Sequence, residues 1–303
     1  MRRFAWGLAL LLCAVLLVSA NAEAAEEIIG VWKSNHLIPP DEVLFLTGKP
    51  EGVTAVEFTR DGKWKYMIDG VYVEDLYIEK MKSMGLAPNA RGEISDIFPN
   101  LGYRITGNRF ELLDLSRNAY PIQGGTMLFE GSYVLLPVIH STANPLVLQR
   151  VGDEAAPEAG REELPEGEPT GSWLDLPSSK WVSYDLIPDI QDRVNIAGTT
   201  MGIPFIEFRE GHTENAITAY LGVYLTPEEI AVRNAHERPV IKNEFIPGNT
   251  FNIRALDGAV TWIRMRFESW VCEPKIYGDK LVIRLSDEGP DIVLTRLDSE
   301  PNP

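Results

Sequence analysis

The sequence predicts an all-β chain with short helices: two tandem antiparallel β-barrels joined by an acidic linker. Three observations carry that prediction. The first is repetition, because five short matches occur in the same order in the two halves. Gly30-Val31-Trp32 is answered by Gly171-Ser172-Trp173, and Val56-Glu57-Phe58 by Ile206-Glu207-Phe208. The stretch from Ile105 to Leu112 is answered by Ile246 to Ile253, and Gly131 to Leu136 by Gly278 to Ile283. Each copy closes on one phrase, Val147-Leu148-Gln149-Arg150 and Val293-Leu294-Thr295-Arg296. Matches in one order at similar overall spacing indicate a duplicated unit. The second observation is period-two alternation of apolar residues punctuated by turn residues, the pattern of half-buried strands. The third is a break in composition between the copies, where Val151 to Thr170 reads VGDEAAPEAGREELPEGEPT and offers almost nothing to bury.

The elements follow in chain order. Residues 1–22 carry Arg2 and Arg3, an apolar run from Phe4 to Val18, and Ala20-Asn21-Ala22 as a cleavage site, the pattern of a secretory signal peptide. The run falls short of the roughly 20 residues a spanning helix needs. Cleavage after Ala22 and an exported chain, periplasmic or secreted and not membrane-embedded, are therefore expected. Cys13 lacks the small preceding residue of a lipoprotein signal, since Leu12 stands there.

The first barrel is placed at 27–151. Thr54, Val56 and Phe58 alternate with more polar neighbours, Asp61-Gly62 marks a tight turn, and Trp64, Tyr66 and Ile68 resume the alternation, which makes a β-hairpin. Runs at Tyr103 to Leu115, Thr126 to Ile139 and Leu146 to Arg150 continue the meander. A helix is expected over Val73 to Met84. The linker occupies 152–170 and the second barrel 171–298. In the second copy strands are expected from Phe251 through Arg296, with a helix over Pro227 to His236, where Thr226 supplies an N-cap, Pro227 the first helical position and Glu228-Glu229 the early acids. Asn89 to Pro99 and Ser178 to Ala197 show no clear pattern, and the strand order of 178–203 stays open.

Formal net charge is −16, and loss of Arg2 and Arg3 with the signal takes it to −18. Such a field repels nucleic acid and anionic lipid. Once Cys13 is removed Cys272 is the remaining cysteine, so no internal disulfide can form; beside Val271 it is read as a small buried hydrophobe.

Gly-x-Trp on the first strand, a hairpin-rich meander and an arginine just after the last strand resemble the lipocalin-like (calycin) β-barrels, here in a tandem form of bacterial exported type. The resemblance covers both copies and nearly all of the mature chain. It implies that the tryptophan and the late arginine pack together across the closed end, with the guanidinium on the indole face. Carried onto this sequence, the pairs are Trp32 with Arg150 and Trp173 with Arg296.

Barrels of about eight strands enclose either packed side chains or one small ligand. The local feature that bears on a ligand is the run from Trp262 to Val271, read as one strand. Alternation sets Trp262, Arg264, Arg266, Glu268 and Trp270 on one face and Ile263, Met265, Phe267 and Val271 on the other. Either the aliphatic face is core and the Arg/Trp face meets solvent or the other domain, or Arg264 and Arg266, framed by indoles, fix a carboxylate or phosphate inside a lumen. The second arrangement resembles the interior arginines of intracellular fatty-acid binders.

Enzymatic signals are sparse. The four histidines, His36, His140, His212 and His236, do not stand at metal-ligand spacing from one another or from cysteine. No nucleophile elbow, phosphate loop or dinucleotide fingerprint occurs, so no catalytic residue, metal or cofactor is assigned. Glu57 and Glu207 recur at equivalent positions and are read as the outer face of one strand in each copy. Three readings remain: an exported, non-enzymatic binder of a small apolar or amphipathic, including anionic, ligand; a structural or adaptor protein with filled barrels; and a lipid- or isoprenoid-modifying enzyme, the last by fold analogy alone.

Overall fold

Alternating apolar residues build one long antiparallel meander in each half of the chain. The computed structural model describes residues 26–86, 100–137, 145–152, 163–213, 216–235, 243–264 and 268–297. The proposed signal 1–22, the stretch Asn89 to Pro99 and much of the linker lie outside the described residues, as do His140, His236 and Arg266. The chain divides into two compact units, Met1–Ala155 and Ala156–Pro303.

The first unit contains β1 (Gly30–Lys33), β2 (Thr54–Phe58), β3 (Lys63–Ile68), β4 (Val71–Tyr72), β5 (Leu101–Thr106), β6 (Arg109–Asp114), β7 (Tyr120–Thr126), β8 (Leu128–Glu130), β9 (Tyr133–Leu136) and β10 (Leu146–Arg150). They pair in the order β7-β6-β5-β3-β2-β1-β10-β9-β8, with β4 added beside β3. The second unit contains β11 (Ser179–Val182), β12 (Ile203–Glu210), β13 (Ala216–Tyr224), β14 (Phe245–Leu256), β15 (Ala259–Arg264), β16 (Glu268–Val271), β17 (Lys275–Tyr277), β18 (Lys280–Ile283) and β19 (Ile292–Arg296). Its order, β16-β15-β14-β13-β12-β11-β19-β18-β17, is that of the first unit position for position once β4 is set aside. In both units the last strand returns to pair with the first. The chain is all-β with short helices, and its two sheets curl, one into a nearly closed barrel and one into a half-barrel.

Among the described residues two α-helices lie between strands in each unit, where the sequence predicted one. Pro40–Thr47 and Val73–Ser83 occupy the β1–β2 and β4–β5 connections, and Ile190–Ala197 and Pro227–Asn234 the equivalent β11–β12 and β13–β14 connections. Thr226 and Glu229 cap the last of these reciprocally, with the Glu229 N–H donating to Thr226 Oγ1 at 3.3 Å and the Thr226 N–H to Glu229 Oε2 at 2.8 Å. The two unforeseen helices each end at a glycine, Gly48 or Gly198, whose N–H returns to Leu44 or Val194.

Strand pairing corrects the sequence alignment in two places. Trp32 stands opposite Val56 and Arg150, and the residue opposite Ile206 and Arg296 is Trp181. Trp173 therefore is not the counterpart of Trp32. Ser172 and Asp175 cap each other across Trp173, with Leu174 N–H donating to Ser172 Oγ at 3.2 Å and Ser172 N–H to Asp175 Oδ2 at 2.8 Å, and this closes a 3₁₀ turn before the strand begins. The match of Ile105–Leu112 with Ile246–Ile253 also fails, because the former spans the β5–β6 turn whereas the latter lies within the twelve-residue strand β14.

The run from Trp262 to Val271 is two strands rather than one. β15 and β16 pair so that Trp262 faces Trp270 and Arg264 faces Glu268. Both indoles turn into the core. Trp262 is fully buried, its ring stacked on Trp270 at 6.0 Å and edge-on to Phe208 and Phe251, while Val271 is 55% exposed. Of the two arrangements the sequence left open, an inward aliphatic face does not hold for Val271, and the indole pair takes the core side of the sheet.

Cys272 follows directly. Its carbonyl accepts the Trp262 indole N–H at 2.9 Å and its sulfur the Arg284 N–H at 3.2 Å. Burial pushes the thiol pKa above its ordinary value. Since the thiolate is the nucleophile, labelling by a neutral thiol reagent is expected to run about a hundredfold slower in the folded protein than in urea, as local opening must precede it. Equal rates would place the thiol outside the core.

Candidate functional site

The late arginines lie over indoles in both units. Arg150 Cζ is 5.0 Å from the Trp32 ring centroid and Arg296 Cζ is 5.4 Å from that of Trp181. The Trp32 indole N–H donates to the Ile28 carbonyl at 2.7 Å, that of Trp181 to Ser179 Oγ at 2.8 Å, and Arg150 also donates to the Glu27 carbonyl. With both indole N–H groups satisfied and both rings buried, these pairs belong to the packing of the fold.

The four residues singled out for a ligand separate. Trp262 and Trp270 are core, the latter donating its N–H to the Arg284 carbonyl at 2.9 Å. Arg264 ends β15 with its side chain 43% exposed and Nη1 3.8 Å from Glu268 Oε2. Arg266 is outside the described residues.

A different constellation stands on the outer wall of the second unit. Along β12, Ile206 and Phe208 join the core, so Phe205, Glu207 and Arg209 point the other way. Tyr220 and Tyr224 of β13 share that outer face, because Ala219, Leu221 and Val223 are core. A bulge then does what alternation alone would not. Leu221 pairs with Asn249 but Gly222 pairs with Pro247, so Gly248 is an extra residue in β14. A one-residue slip exchanges the faces of a strand. Phe251 and Ile253 thus face inward, and Pro247 and Phe245 face the outer wall.

Together these side chains border a groove of about 530 Å³. Its apolar floor is Phe205 against Phe245, ring centroids 4.9 Å apart, with Tyr224 5.1 Å from Phe245. Its charged element is the Glu207–Arg209 ion pair, with Arg209 over one ring and Lys180, next to the groove, over another. Arg209 Nη2 lies 2.7 Å from Glu207 Oε2 and its guanidinium 4.7 Å from the Tyr220 centroid, and Lys180 Nζ lies 3.9 Å from the Phe245 centroid. The carboxylate raises the Arg209 pKa still further, so the guanidinium is charged at any working pH. Asn243 and Glu244 close one end. Aromatic walls with few convergent charges suit an amphipathic molecule rather than a bond-breaking reaction.

Sequence reading placed Glu207 on the outer face but passed over the rest of the groove. Its recognisable signal was Pro247-Gly248-Asn249 inside an otherwise strand-like run, the kind of interruption that marks a bulge. Among the described residues no group of three or more His, Cys, Asp and Glu side chains stands where it can hold a metal ion, and no helix is long and apolar enough to cross a membrane. Comparison with family models, curated proteins and solved structures yields no match for this chain.

Proposed function

We propose that this protein is an exported, lipocalin-like, non-enzymatic binding protein whose second unit holds a small amphipathic ligand in the groove on its barrel wall. The observation that carries the reading is the groove itself, where Tyr220 and Phe245 supply apolar surface over the buried Phe205, beside Arg209 and with Lys180 held against Phe245. Apolar contact contributes about 25 cal/mol per Å² removed from water, and a guanidinium or ammonium orients an anionic head through charge-assisted hydrogen bonds. Kinship to lipocalin-like barrels is supported by the Trp/Arg pairs of both units, and export by the charge and apolar pattern of residues 1–22.

The test is fluorescence titration of the intact protein with 1-anilinonaphthalene-8-sulfonate, an anionic aromatic amphiphile. Saturable binding is expected, and Lys180→Ala with Arg209→Ala is expected to weaken it about tenfold, roughly one lost charge-assisted contact. If Arg264→Gln with Arg266→Gln removes binding while the wall variants retain it, the ligand sits at the end of β15 and the wall reading fails. An adaptor role is the second reading, favoured by interiors filled with aromatic side chains such as Phe58, Phe110 and Trp262. It gains ground if the probe shows no saturable binding.

A further inference from the structure

The duplicated topology places two versions of one outer wall side by side for comparison. Glu57 and Glu207 occupy the same position, each one residue before the core phenylalanine, Phe58 or Phe208. Ala55 and Phe205 are likewise equivalent; across the sheet from them stand Met67 and Gly222, and beyond those stand Tyr72 and Pro247.

In the first unit this wall is closed by the protein's own side chain. The Tyr72 hydroxyl donates to Glu57 Oε2 at 2.6 Å, and Lys65 Nζ lies 4.9 Å from the Tyr72 ring centroid. The carboxylate holds the Tyr72 pKa above the ordinary phenol range, so the hydroxyl stays a donor. Carboxylate, phenol and cation form one compact unit.

In the second unit the carboxylate remains, Tyr220 stands opposite it where Lys65 stands opposite Glu57, and the cations come from other positions, Arg209 and Lys180. Pro247 takes the place of Tyr72, has neither an aromatic ring nor a hydroxyl, and lines the groove. Glu207 lines that groove beside Arg209, with Lys180 over the neighbouring Phe245. Arg209 occupies one carboxylate oxygen, Oε2, and an ionised carboxylate has about four acceptor positions. Phe205 and Tyr220 replace Ala55 and Lys65; Phe205 is buried against Phe245, so the aromatic surface on offer is that of Tyr220 and Phe245.

From this comparison we infer that the groove of the second unit recognises a phenolic ring, which enters where Tyr72 sits in the first unit and donates its hydroxyl to Glu207. The ring lies against Tyr220 and Phe245, and the cations Arg209 and Lys180 meet its face and any anionic group it carries. The phenol is either a free small molecule or a tyrosine side chain of a peptide; both present the same chemistry. The inference rests on the groove being the binding site.

The experiment is NMR titration of the intact protein with N-acetyltyrosinamide, N-acetylphenylalaninamide, p-cresol and octanoate. A buried hydroxyl left without its partner, or a carboxylate left without a donor, commonly changes affinity about tenfold or more. N-acetyltyrosinamide is therefore expected to bind at least about tenfold tighter than its phenylalanine analogue, with shifts at Glu207, Tyr220 and Phe245. Glu207→Leu is expected to erase that preference, and Pro247→Tyr, which refills the wall from within, to block the phenols. Tighter binding of p-cresol than of the tyrosine amide identifies a free phenol as the natural class, and the converse a peptide. Equal binding of the tyrosine and phenylalanine amides overturns the inference without need of any variant. Groove shifts with octanoate and none with phenols overturn it and leave the binding reading standing, whereas no groove shifts with any probe overturn both.

Discussion

Trp262→Ala is expected to lower the stability of the second unit by about 3–5 kcal/mol, the range for removing a fully buried large aromatic. The indole is completely enclosed, stacked on Trp270 at 6.0 Å and packed edge-on against Phe208 and Phe251. Its loss opens a cavity among rings that are themselves pinned, since Trp270 is tethered to the Arg284 carbonyl, and pinned walls relax little. It also strands the Cys272 carbonyl, which accepts the indole N–H at 2.9 Å. Trp262→Phe keeps an aromatic ring in place while removing the N–H donor and part of the ring volume, and is expected to cost less, about 1–3 kcal/mol. Urea unfolding followed by circular dichroism measures both. A loss below about 1 kcal/mol for the alanine variant is incompatible with a packed interior and would instead support an open lumen at this point. Since the two units have separate cores, the transition of the first unit is expected to stay in place.

Gly202→Ala is expected to cost about 3 kcal/mol for a single added methyl group. Gly202 leads into β12 with φ +92°, outside the range L-residues adopt readily. A Cβ built there meets Leu225 Cδ2 at 2.5 Å, the Tyr224 carbonyl oxygen at 2.6 Å and Val223 Cγ1 at 2.8 Å. Backbone strain of about 1–3 kcal/mol and overpacking of about 1–3 kcal/mol act together. Gly278 is the control within the same unit. It has φ +66° at the β17–β18 turn with nothing within 4 Å of a Cβ, so Gly278→Ala is expected to cost only about 1–2 kcal/mol, the left-handed penalty by itself. Thermal unfolding of the two variants separates conformation from contact. Equal losses would show that the close approach of Gly202 to β13 is relieved at no cost.

The comparison of Trp173 with Trp181 shows why the first strand of the second unit was misread. Gly-Ser-Trp is a closer match to Gly-Val-Trp than Ser-Lys-Trp is, and local similarity favoured it. A longer phrase pointed elsewhere: Leu37-Ile38-Pro39 begins five residues after Trp32, and Leu186-Ile187-Pro188 begins five residues after Trp181. All four aliphatic residues are buried, and each phrase leads into a helix that ends at a glycine. The repeat was therefore present in the region that had seemed to break it, spread over one connection rather than concentrated in a motif.

What the sequence determined by itself is what local chemistry controls. Alternation marked hairpins such as β2–β3, Thr226-Pro227-Glu228-Glu229 marked a helix start, and the closing phrases marked β10 and β19 in register. These signals depend on residues within one strand or one turn of each other. Tertiary structure decided everything that depends on which strand lies alongside. It seated Arg296 over Trp181 because β11 pairs with β19, and it turned Trp262 and Trp270 inward because β15 and β16 fold back on one another. It also gave the candidate site its walls. One extra residue at Gly248 carries Phe245 and Pro247 to the outside of a sheet whose next apolar residues, Phe251 and Ile253, lie inside, and a face exchange of that kind is set by the register against β13 rather than by the composition of β14.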